Sequence, residues 1–429
     1  MQQLPRRTAT CVIAGGGPAG IVLGLLLARA GIDVTVLEKH ADFLRDFRGD
    51  TVHPTTLGLL DDLGIFGRFE QLPQSKVRRV QFLGAEGNEV TVADFGRLPL
   101  RHPYVAMVPQ WDLLTLLADT ALAEPCFTLL TEHEATGVLR ERGRVCGLSY
   151  RCPDGVGEVA ADLTVACDGR WSTVRRDLGL EAKEFPVGFD VWWYRLSTNK
   201  RVGESLLPRI HEGQVAIGIP RSGYLQVAQL GLKGEDALLR ARGIEAFRDT
   251  AARIFPELAE DVVRLDSMDA VKHLDVRVDR LRTWHAPGAL CLGDAAHAMS
   301  PVGGVGINLA IQDAVAAARI LARPLGAGGF QDGSADRFLA KVQRRRNWPA
   351  ALIQAVQRIM HAAAIMPALR GGFNGPPKWF GTMFAKMPFL STLPALVIGI
   401  GPRPEKAPTW ARRFAPPPHR QGSTPTPGR

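Results

Sequence analysis

The glycine-rich turn at residues 15–20 restricts the fold more than any other feature of the chain. An apolar run at residues 8–14 precedes it, a helical run follows to about residue 30, and a second apolar run at residues 34–37 ends at Glu38. Glycines at the first, third and sixth positions of such a turn allow a tight bend, close approach of the backbone to a pyrophosphate, and close packing of the helix on the strand. The pattern predicts a βαβ unit of a parallel sheet, with a dinucleotide at the N-terminus of its helix.

The residues of this turn, together with the acid that ends the second strand, are the first candidate binding residues. A carboxylate in that position accepts a hydrogen bond from a ribose hydroxyl in dinucleotide-binding units. The predicted cofactor contacts here are Gly15, Gly17, Pro18, Ala19, Gly20, Glu38 and Lys39.

The charge of the chain does not indicate nucleic-acid binding. The formal net charge is +9, but residues 402–429 hold six basic residues and a single acid, so the rest of the chain is only mildly basic. The sequence has no basic helix, zinc finger or basic patch with interleaved aromatic residues, which nucleic-acid binding would require. With 429 residues, of which 46% are hydrophobic, the chain is long enough for two domains or for one large domain with insertions.

Cysteine usage and apolar runs bear on the expected compartment. The six cysteines form no CxxC pair and no metal-like spacing, so we expect buried free thiols and no metal site. Arg6 and Arg7 precede no cleavage site, and no apolar run reaches the length of about 18 residues that a membrane span needs, so the expected location is the cytoplasm. The apolar segment 389–401 is either a core or substrate-tunnel segment or a surface for weak peripheral membrane contact.

Two further glycine-containing turns follow apolar, strand-like runs. The first is Cys167-Asp168-Gly169, and the second runs from Gly293-Asp294 to Asn308 and opens into an apolar helix. The second turn contains Gly303, Gly304 and Gly306, and glycines are kept where backbone must approach a ligand or adopt positive φ. Amides at the start of the helix predict a bound group that is at least partly anionic.

Between these two turns the periodicity of the chain changes. Residues 189–197, 213–220 and 224–233 alternate like strands of an antiparallel sheet, and two helices are expected near residues 235–242 and 244–255. This block interrupts the dinucleotide fold and should form a separate layer. The predicted fold class is α/β, a Rossmann-like domain with a GxGxxG βαβ unit, interrupted by an antiparallel-sheet substrate domain and followed by C-terminal helices.

The expected domain boundaries follow from these patterns. The dinucleotide domain is discontinuous and comprises residues 1–76, 100–181 and 279–330, whereas the substrate domain comprises residues 77–99 and 182–278. Residues 331–401 form a helical region. Residues 402–429 contain eight prolines and no apolar periodicity, so we expect them to be disordered.

The three glycine motifs, in this order and spacing, resemble the single-component FAD-dependent aromatic hydroxylases, a family similar to para-hydroxybenzoate hydroxylase and the ubiquinone-biosynthesis hydroxylases. The resemblance covers residues 8 to about 325. It implies that the dinucleotide is FAD, that the first turn holds its pyrophosphate, and that Glu38 holds its adenosine ribose.

The resemblance also implies a role for residues elsewhere in the chain. Arg48 and Gln110 would contact the phosphate or ribityl region, and Asp168 would serve both FAD and pyridine nucleotide binding. Asp294 would hold the ribityl chain, and Pro301 would line the flavin face where oxygen and substrate meet. The residues bordering the pyrimidine end of the isoalloxazine would be Gly303, Gly304, Val305, Gly306, Ile307 and Asn308.

The reaction implied by the resemblance is hydroxylation or epoxidation of a small, largely apolar substrate that is aromatic or of polyketide or terpenoid type. NADPH or NADH would reduce FAD, and dioxygen would form a flavin 4a-hydroperoxide that transfers oxygen. Reduced flavin is anionic at its N1 and O2 atoms, so amides at a helix N-terminus stabilise it. The hydroperoxide decays in contact with water, so a closed apolar pocket is required.

The antiparallel sheet is the expected roof of that pocket, with Trp192, Trp193, Tyr194 and Tyr224 contributing to it. The candidate substrate contacts are Trp193, Arg195, Gln226 and Pro301. No residue is assigned as a catalytic acid or base, and His297 is interpreted as a brace for its loop. The expected oligomeric state is a monomer or homodimer.

Two other functions remain open from the sequence, because one fold can host different chemistries. The first is an FAD-dependent reductase or dehydrogenase of an isoprenoid-like substrate. The second is a flavin-bound protein that only sequesters an apolar ligand. A flavin-dependent halogenase is disfavoured, because the Trp-x-Trp-x-Ile-Pro signature is absent.

Overall fold

The computed structural model describes residues 2–43, 51–83, 89–200, 206–211, 213–221, 223–372, 383 and 386–413. Its strands are β1 (Arg7–Ala14), β2 (Val34–Leu37), β3 (Thr51–Val52), β4 (Ser75–Val77), β5 (Arg79–Leu83), β6 (Glu89–Asp94), β7 (Val105–Met107), β8 (Phe127–Leu130), β9 (Glu134–Glu141), β10 (Arg144–Cys152), β11 (Gly155–Ala166), β12 (Ala182–Phe185), β13 (Phe189–Ser197), β14 (Leu207–His211), β15 (Gln214–Arg221), β16 (Tyr224–Leu232), β17 (Lys272–Leu274), β18 (Val278–Leu281), β19 (His285–Ala286) and β20 (Ala289–Cys291).

The helices of the described residues are α1 (Pro18–Arg29), α2 (Pro54–Asp62), α3 (Phe66–Glu70), α4 (Gln110–Leu122), α5 (Thr173–Asp177), α6 (Asp236–Ala241), α7 (Gly243–Ile254), α8 (Ala259–Val262), α9 (Gly306–Gly326), α10 (Arg337–Met360), α11 (Met366–Leu369) and α12 (Thr392–Gly399). A π-helical turn, His361–Ile365, joins α10 to α11.

A mainly parallel sheet forms the centre of the protein. Its strand order is β19-β20-β11-β1-β2-β8, and β10 and β9 extend it beyond β11. β1 pairs in parallel with β2 on one side and β11 on the other, and every side chain of β2 is buried. α1 packs against both α4 and α9. Strands buried on both faces read as continuous apolar runs, so the βαβ unit and the α/β class predicted from the sequence are confirmed.

The three glycine motifs leave this sheet side by side. The amide of Cys167 donates to the carbonyl of Ala14 at 2.7 Å, and the amide of Leu292 donates to the carbonyl of Ala166 at 2.9 Å. The chain runs from β1 outward to β2 on one side and later from β11 to β20 on the other, so the order reverses between β1 and β11. Ligands of open α/β sheets bind at the carboxyl ends of strands at such a reversal.

A five-stranded antiparallel sheet, in the order β14-β15-β16-β13-β17, forms the predicted second layer. Alternate side chains of β13 face opposite sides of it. Trp192 and Tyr194 pack with Phe247 of α7, whereas Trp193 packs in a cluster with Val302, which lies in the third glycine motif.

A three-stranded sheet, in the order β3-β7-β4, and two separate pairs of strands complete the sheets of the described residues. β5 and β6 pair antiparallel, and the residues that join them, 84–88, lie outside the described residues. β12 and β18 form a separate two-stranded antiparallel sheet. The exact domain boundaries stay a prediction.

Residues 402–413 do not have the disorder that their proline content predicts. Glu405 is only 4% exposed, and its carboxylate bonds Arg345 at 2.6 Å and 2.9 Å. The amide of Arg413 donates to the carbonyl of Asp62 at 2.9 Å. The single acid of this basic segment therefore attaches it to α10, which the composition alone could not show. Residues 414–429 lie outside the described residues.

Two helical stretches, Val302–Gly326 and Arg337–Leu369, are long and apolar enough to cross a membrane if judged by length and composition alone. In the first, 72% of the most apolar window is buried within the protein, as in a core helix. The second carries buried polar side chains that bond neighbouring loops, among them Arg346 and Gln357. The first stretch is therefore largely enclosed by the rest of the protein, whereas 33% of the most apolar window of the second is buried.

Candidate active site

The turn at residues 15–20 has the form of a phosphate-binding loop. Gly15 has φ of +99°, and a side chain at this position would overlap the backbone of Cys167. A side chain at Gly20 would overlap the carbonyl of Gly15, whereas Gly17 faces open space. No side chain caps the N-terminus of α1. Its first amides are therefore free to meet an anion that approaches Gly17.

Glu38 is held beside this turn by the backbone. The side chain is 2% exposed, and its two carboxylate oxygens accept hydrogen bonds from the amides of Gly16 at 2.8 Å and His40 at 3.0 Å. Lys39, the next residue, is exposed. The fixed carboxylate lies at the end of β2, where a ribose is expected.

Asp168 belongs to the second glycine motif and has an incomplete set of hydrogen bonds. Oδ2 accepts from the amide of Val174 at 3.2 Å, but Oδ1 is buried and has no partner among the described residues. Burial raises the pKa of this carboxyl despite the bonds it accepts. A buried acceptor without a donor is costly, so the position fits a ligand hydroxyl or amide and supports the assignment to FAD.

Asp294 follows β20 at the same edge of the sheet. Its Oδ2 lies 3.5 Å from Nη2 of Arg170, and its side chain is one-third exposed. The preceding Gly293 has φ of +58° and packs close to Ala310 and Ala19. A carboxylate placed here can accept hydrogen bonds from a polyol chain lying across the sheet edge.

A buried ionic cluster supports the turn that carries Asp294. His297 Nε2 and Asp313 Oδ2 are 2.5 Å apart, and Arg346 Nε donates to Asp313 Oδ1 at 2.9 Å. Burial alone would raise the pKa of Asp313, but the contacts with His297 and Arg346 outweigh it and lower the pKa. The amide of Gly293 also donates to Asp313 at 3.3 Å. These contacts match the interpretation of His297 as a brace.

The third motif contains two consecutive glycines in the left-handed region. Gly303 has φ of +81° and Gly304 has φ of +61°, conformations that side chains rarely adopt. Thr51 Oγ1 donates to the carbonyl of Gly304 at 2.7 Å, and His53 Nε2 donates to the same carbonyl at 2.9 Å. Thr51 and His53 therefore hold this turn, although they are about 250 residues away in the chain.

α9 begins directly after these glycines and presents an uncapped N-terminus. Asn308 is 4% exposed, and its Oδ1 accepts from Thr55 at 2.9 Å and Thr56 at 2.6 Å. The side chain of Asn308 thus ties α9 to α2. The amides of Gly306 and Ile307, in the first turn of the helix, remain the groups suited to a flavin pyrimidine ring.

Side chains of α10 and of the π-helical turn that follows it hold the loop around Pro301. Gln357 Nε2 donates to the carbonyls of Ser300 at 2.9 Å and Val302 at 2.8 Å, and its Oε1 accepts from the amide of Ser300 at 3.3 Å. His361, in the π-helical turn, lies 2.9 Å from Ser300 Oγ. The sequence of this helix predicts no such role, because its spacing shows an apolar face but not the loop that its polar side chains reach.

Near Pro301, three apolar clusters adjoin one another through shared side chains, and we call these side chains the apolar wall. Trp193, Ile217 and Val302 pack against one buried cluster. Trp193, Ile217 and Ile398 of α12 pack against a second, which contains Met107. Ile398 also packs with Val305 and Leu309. The segment expected to be a core or tunnel segment therefore contributes to the wall above the third motif.

The predicted substrate contacts divide into different environments. The guanidinium of Arg195 lies 5.6 Å from the ring centroid of Trp111 and 4.9 Å from that of Tyr224. Gln226 is 1% exposed and donates to the carbonyl of Tyr194 at 3.0 Å, so its amide nitrogen is used within the sheet. Trp193 has a buried Nε1 without a partner among the described residues, which leaves it available to a ligand.

Two expected roof residues lie on the wrong face of the sheet. Trp192 Nε1 donates to Asp236 at 2.8 Å, and Tyr194 hydroxyl donates to Gln229 at 3.1 Å. Both face the helices on the outer side, because neighbouring residues of a strand alternate in direction. Burial raises the pKa of Tyr194 far above its usual value, so it is unsuited to act as a base.

The two remaining predicted cofactor contacts differ in how far they can be placed. Gln110 is the first residue of α4 and is partly buried. Arg48 lies outside the described residues. In the described residues there is no group of His, Cys, Asp and Glu side chains suited to a metal ion.

Comparison with known proteins agrees with this geometry. A family model described as an FAD binding domain matches residues 7–355. A 6-methylpretetramide 4-monooxygenase of Streptomyces rimosus is 35% identical over 351 residues, which is 79% of this chain and 80% of that protein. An anhydrotetracycline monooxygenase of Streptomyces rimosus is 33% identical over 319 residues, 71% of this chain. The match spans 60% of that relative, less than two thirds of its length.

A solved structure has a similar fold. The anhydrotetracycline hydroxylase of Streptomyces rimosus matches with a TM-score of 0.71 and 26% sequence identity, over 91% of this chain and 76% of that chain. The two sequence relatives above are both named monooxygenases, which supports neither a reductase nor a protein that only sequesters a ligand. The chain therefore belongs to the FAD binding domain family and is an FAD-dependent monooxygenase.

Proposed function

We propose that the protein hydroxylates a fused-ring aromatic substrate of the polyketide type, with NAD(P)H as reductant and dioxygen as oxidant. The observation that carries the substrate class is the 35% identity, over 79% of the chain, to an enzyme named for 6-methylpretetramide. The apolar wall formed by Trp193, Ile217, Met107 and Ile398 supports it.

The overall reaction converts a C–H bond of the substrate into C–OH. One atom of dioxygen enters the product, and the other leaves as water with two electrons and a proton taken from NAD(P)H and a further proton from solvent. Bound FAD supplies the redox chemistry, since it accepts hydride from the nicotinamide and activates dioxygen.

The chain's own residues position the cofactor and exclude water. The uncapped N-terminus of α1 fits the phosphates of FAD. The carboxylates of Glu38, Asp168 and Asp294 fit its hydroxyl groups. The N-terminal amides of α9 favour negative charge on the adjacent ring by about 1 kcal/mol. The apolar wall keeps water from the reacting atoms, which favours oxygen transfer over loss of peroxide.

The substrate class can be tested with a panel of compounds. Purified enzyme with FAD is given NADPH and air, together with fused-ring phenols of two to four rings, single-ring phenols or an aromatic amino acid. We expect the tetracyclic phenols to stimulate NADPH consumption most and to yield a hydroxylated product. Stimulation confined to the amino acid would contradict the polyketide assignment but not the monooxygenase assignment. An apoprotein unable to take up FAD would contradict both.

A further inference from the structure

A basic cluster with an aromatic centre lies outside the residues considered above. It consists of Lys183 and Phe185 of β12, Arg280 of β18 and Arg358 of α10, and we name it the Phe185 cluster. Lys183 Nζ lies 5.4 Å from the centroid of the Phe185 ring. The guanidinium carbons of Arg280 and Arg358 lie 5.6 Å and 4.7 Å from the same centroid. Three cations are therefore gathered around one ring.

The strand register makes this arrangement costly in isolation. Lys183 stands directly opposite Arg280 in the antiparallel pair, and like charges in that position destabilise a sheet. Among the described residues, none of the three cations of the cluster forms an ion pair with an acid. Burial lowers the pKa of Arg280, and repulsion from Arg358 lowers it further.

On the opposite face of the same strand pair, facing side chains of like charge are each paired with a side chain of opposite charge. Glu184 stands directly opposite Asp279, so two acids face each other there. Arg277 lies 3.6 Å from Glu184, and Arg175 lies 3.4 Å from Asp279. The acids are neutralised from within the protein, whereas the cations are not.

A neutral side chain holds part of the cluster in place. Arg280 Nη1 donates to Gln354 Oε1 at 2.8 Å, and Gln354 Nε2 donates to the carbonyls of Asp279 at 2.7 Å and Ala298 at 3.0 Å. Gln354 lies one helical turn before Arg358 in α10. The cluster is thus ordered without loss of its positive charge, which is the arrangement that an anionic ligand needs.

The position of the cluster connects it to the flavin end of the site. The amide of Leu281 donates to the carbonyl of Ala296 at 2.8 Å, and the amide of Asp279 donates to that of Ala298 at 3.3 Å. β18 is therefore attached to the loop that directly follows Asp294. Lys183 and Arg358 are exposed, so an anion can reach the cluster from solvent.

We propose that the Phe185 cluster binds phosphate groups of the NAD(P)H co-substrate. This rests on the proposed function, which requires a reduced pyridine nucleotide that carries a pyrophosphate and, in NADPH, a 2′-phosphate. The phosphates of FAD already have the amides of α1, and the substrate side of the loop is apolar. The co-substrate is therefore the one reactant whose phosphate groups have no binding residues assigned above.

The test uses the FAD-loaded enzyme and three variants, Lys183→Gln, Arg358→Gln and the double variant. Arg280 is left intact because it is bonded to Gln354. Flavin reduction is followed without oxygen at increasing NADPH or NADH concentrations, and calorimetric titration with NADP⁺ measures binding independently of reduction. The control is Arg253→Gln, an exposed arginine of α7 that bonds Thr250.

We expect each single variant to weaken NADPH binding about fivefold and the double variant more, with the limiting reduction rate unchanged. The control should match the wild type. Weakening confined to NADPH supports contact with the 2′-phosphate, and equal weakening for NADH supports contact with the pyrophosphate.

Unchanged affinity of the double variant for both NADPH and NADP⁺ would overturn the proposal, as would a loss of affinity for the aromatic substrate alone. The titration with NADP⁺ distinguishes failure of the proposed function from failure of the proposed phosphate site. If the wild type binds NADP⁺ but NADPH does not reduce its flavin, the proposed function fails, while loss of NADP⁺ binding in the double variant would still uphold the Phe185 cluster as the phosphate site.

Discussion

His53 shows how a single buried side chain sets the geometry of the flavin end. It is 0% exposed, and its Nε2 donates to the carbonyl of Gly304. Burial lowers the pKa of the imidazole to about 4, although the nearby carbonyls of Gly304 and Ile398 oppose this effect. The neutral ring with its proton on Nε2 is therefore the form that holds the Gly303-Gly304 turn.

The depressed pKa of His53 predicts a pH dependence of stability. Between pH 6.5 and pH 4 the unfolded chain binds a proton at this residue and the folded protein does not, so stability falls as the pH is lowered through this window. The contribution is up to about 1.4 kcal/mol per pH unit. Urea unfolding of wild type and His53→Gln across this range measures it. We expect a shallower slope in the variant, and identical slopes would contradict the assignment.

The sequence predicts correctly which acidic side chains lie at the ends of the strands. Glu38, Asp168 and Asp294 each follow an apolar run, and parallel strands bring their carboxyl ends to one edge. Thr51 and His53 escaped notice because their partner, Gly304, is about 250 residues away. Polar residues just before a helix, such as Thr51 and His53, predict only local contacts. Their spacing does not predict a hydrogen bond to a carbonyl that is distant in the chain.

α10 acts at the scale of the element, because one helix holds the whole loop around Pro301. Gln357 bonds Ser300 and Val302 on both sides of that proline. Gln343, nearer the start of the same helix, bonds the amide of Trp284 at 3.1 Å and the carbonyl of Arg282 at 2.9 Å. The helix therefore contacts the flavin loop at one end and a different segment at the other.

Replacement of Gln357 by leucine should loosen the Pro301 loop. The carbonyls of buried Ser300 and partly buried Val302 lose their donor, at a cost of about 1–3 kcal/mol for the buried one, and water gains access to the reacting atoms. We expect a larger share of NADPH oxidation to end in hydrogen peroxide, measured as peroxide per hydroxylated product. Gln343→Leu is the matched control and should lose stability without this change. An equal ratio of peroxide to hydroxylated product in the two variants would show that the contacts of Gln357 are only structural.

The strand β13 illustrates what periodicity can and cannot decide. Alternation shows that Trp192 and Tyr194 share one face and that Trp193 and Arg195 share the other. Both faces carry aromatic residues, so the pattern does not say which one looks toward the third glycine motif. The structure resolves this by packing Trp192 and Tyr194 against α7.

At the scale of the whole molecule, the segment after α12 joins parts that are distant in the chain. Glu405 contacts Arg345 and Arg346 of α10 and lies 3.7 Å from Arg319 of α9. Its amide donates to Gln312 at 3.0 Å. Arg346 in turn bonds Asp313, so the ionic cluster behind the Asp294 turn includes the end of the described chain.

Removal of this charge should destabilise the entire fold. In Glu405→Gln, buried Arg346 and partly buried Arg345 lose a carboxylate, and breaking a buried pair costs about 3–5 kcal/mol. Urea unfolding with bound FAD measures the free energy of unfolding. Glu257→Gln, at the more exposed pair with Arg209, is the control and should cost less than about 1 kcal/mol. Equal effects of the two substitutions would argue against this role of Glu405.

We infer that the three turns at the carboxyl edge of the sheet hold an FAD that serves oxygen insertion. The most direct measurement is mass spectrometry of the product formed from a tetracyclic phenol and NADPH under ¹⁸O₂. We predict a product heavier by one ¹⁸O atom, with no label incorporated when ¹⁸O-water replaces the labelled gas. A product formed equally well without dioxygen, or labelled only from water, would contradict the account.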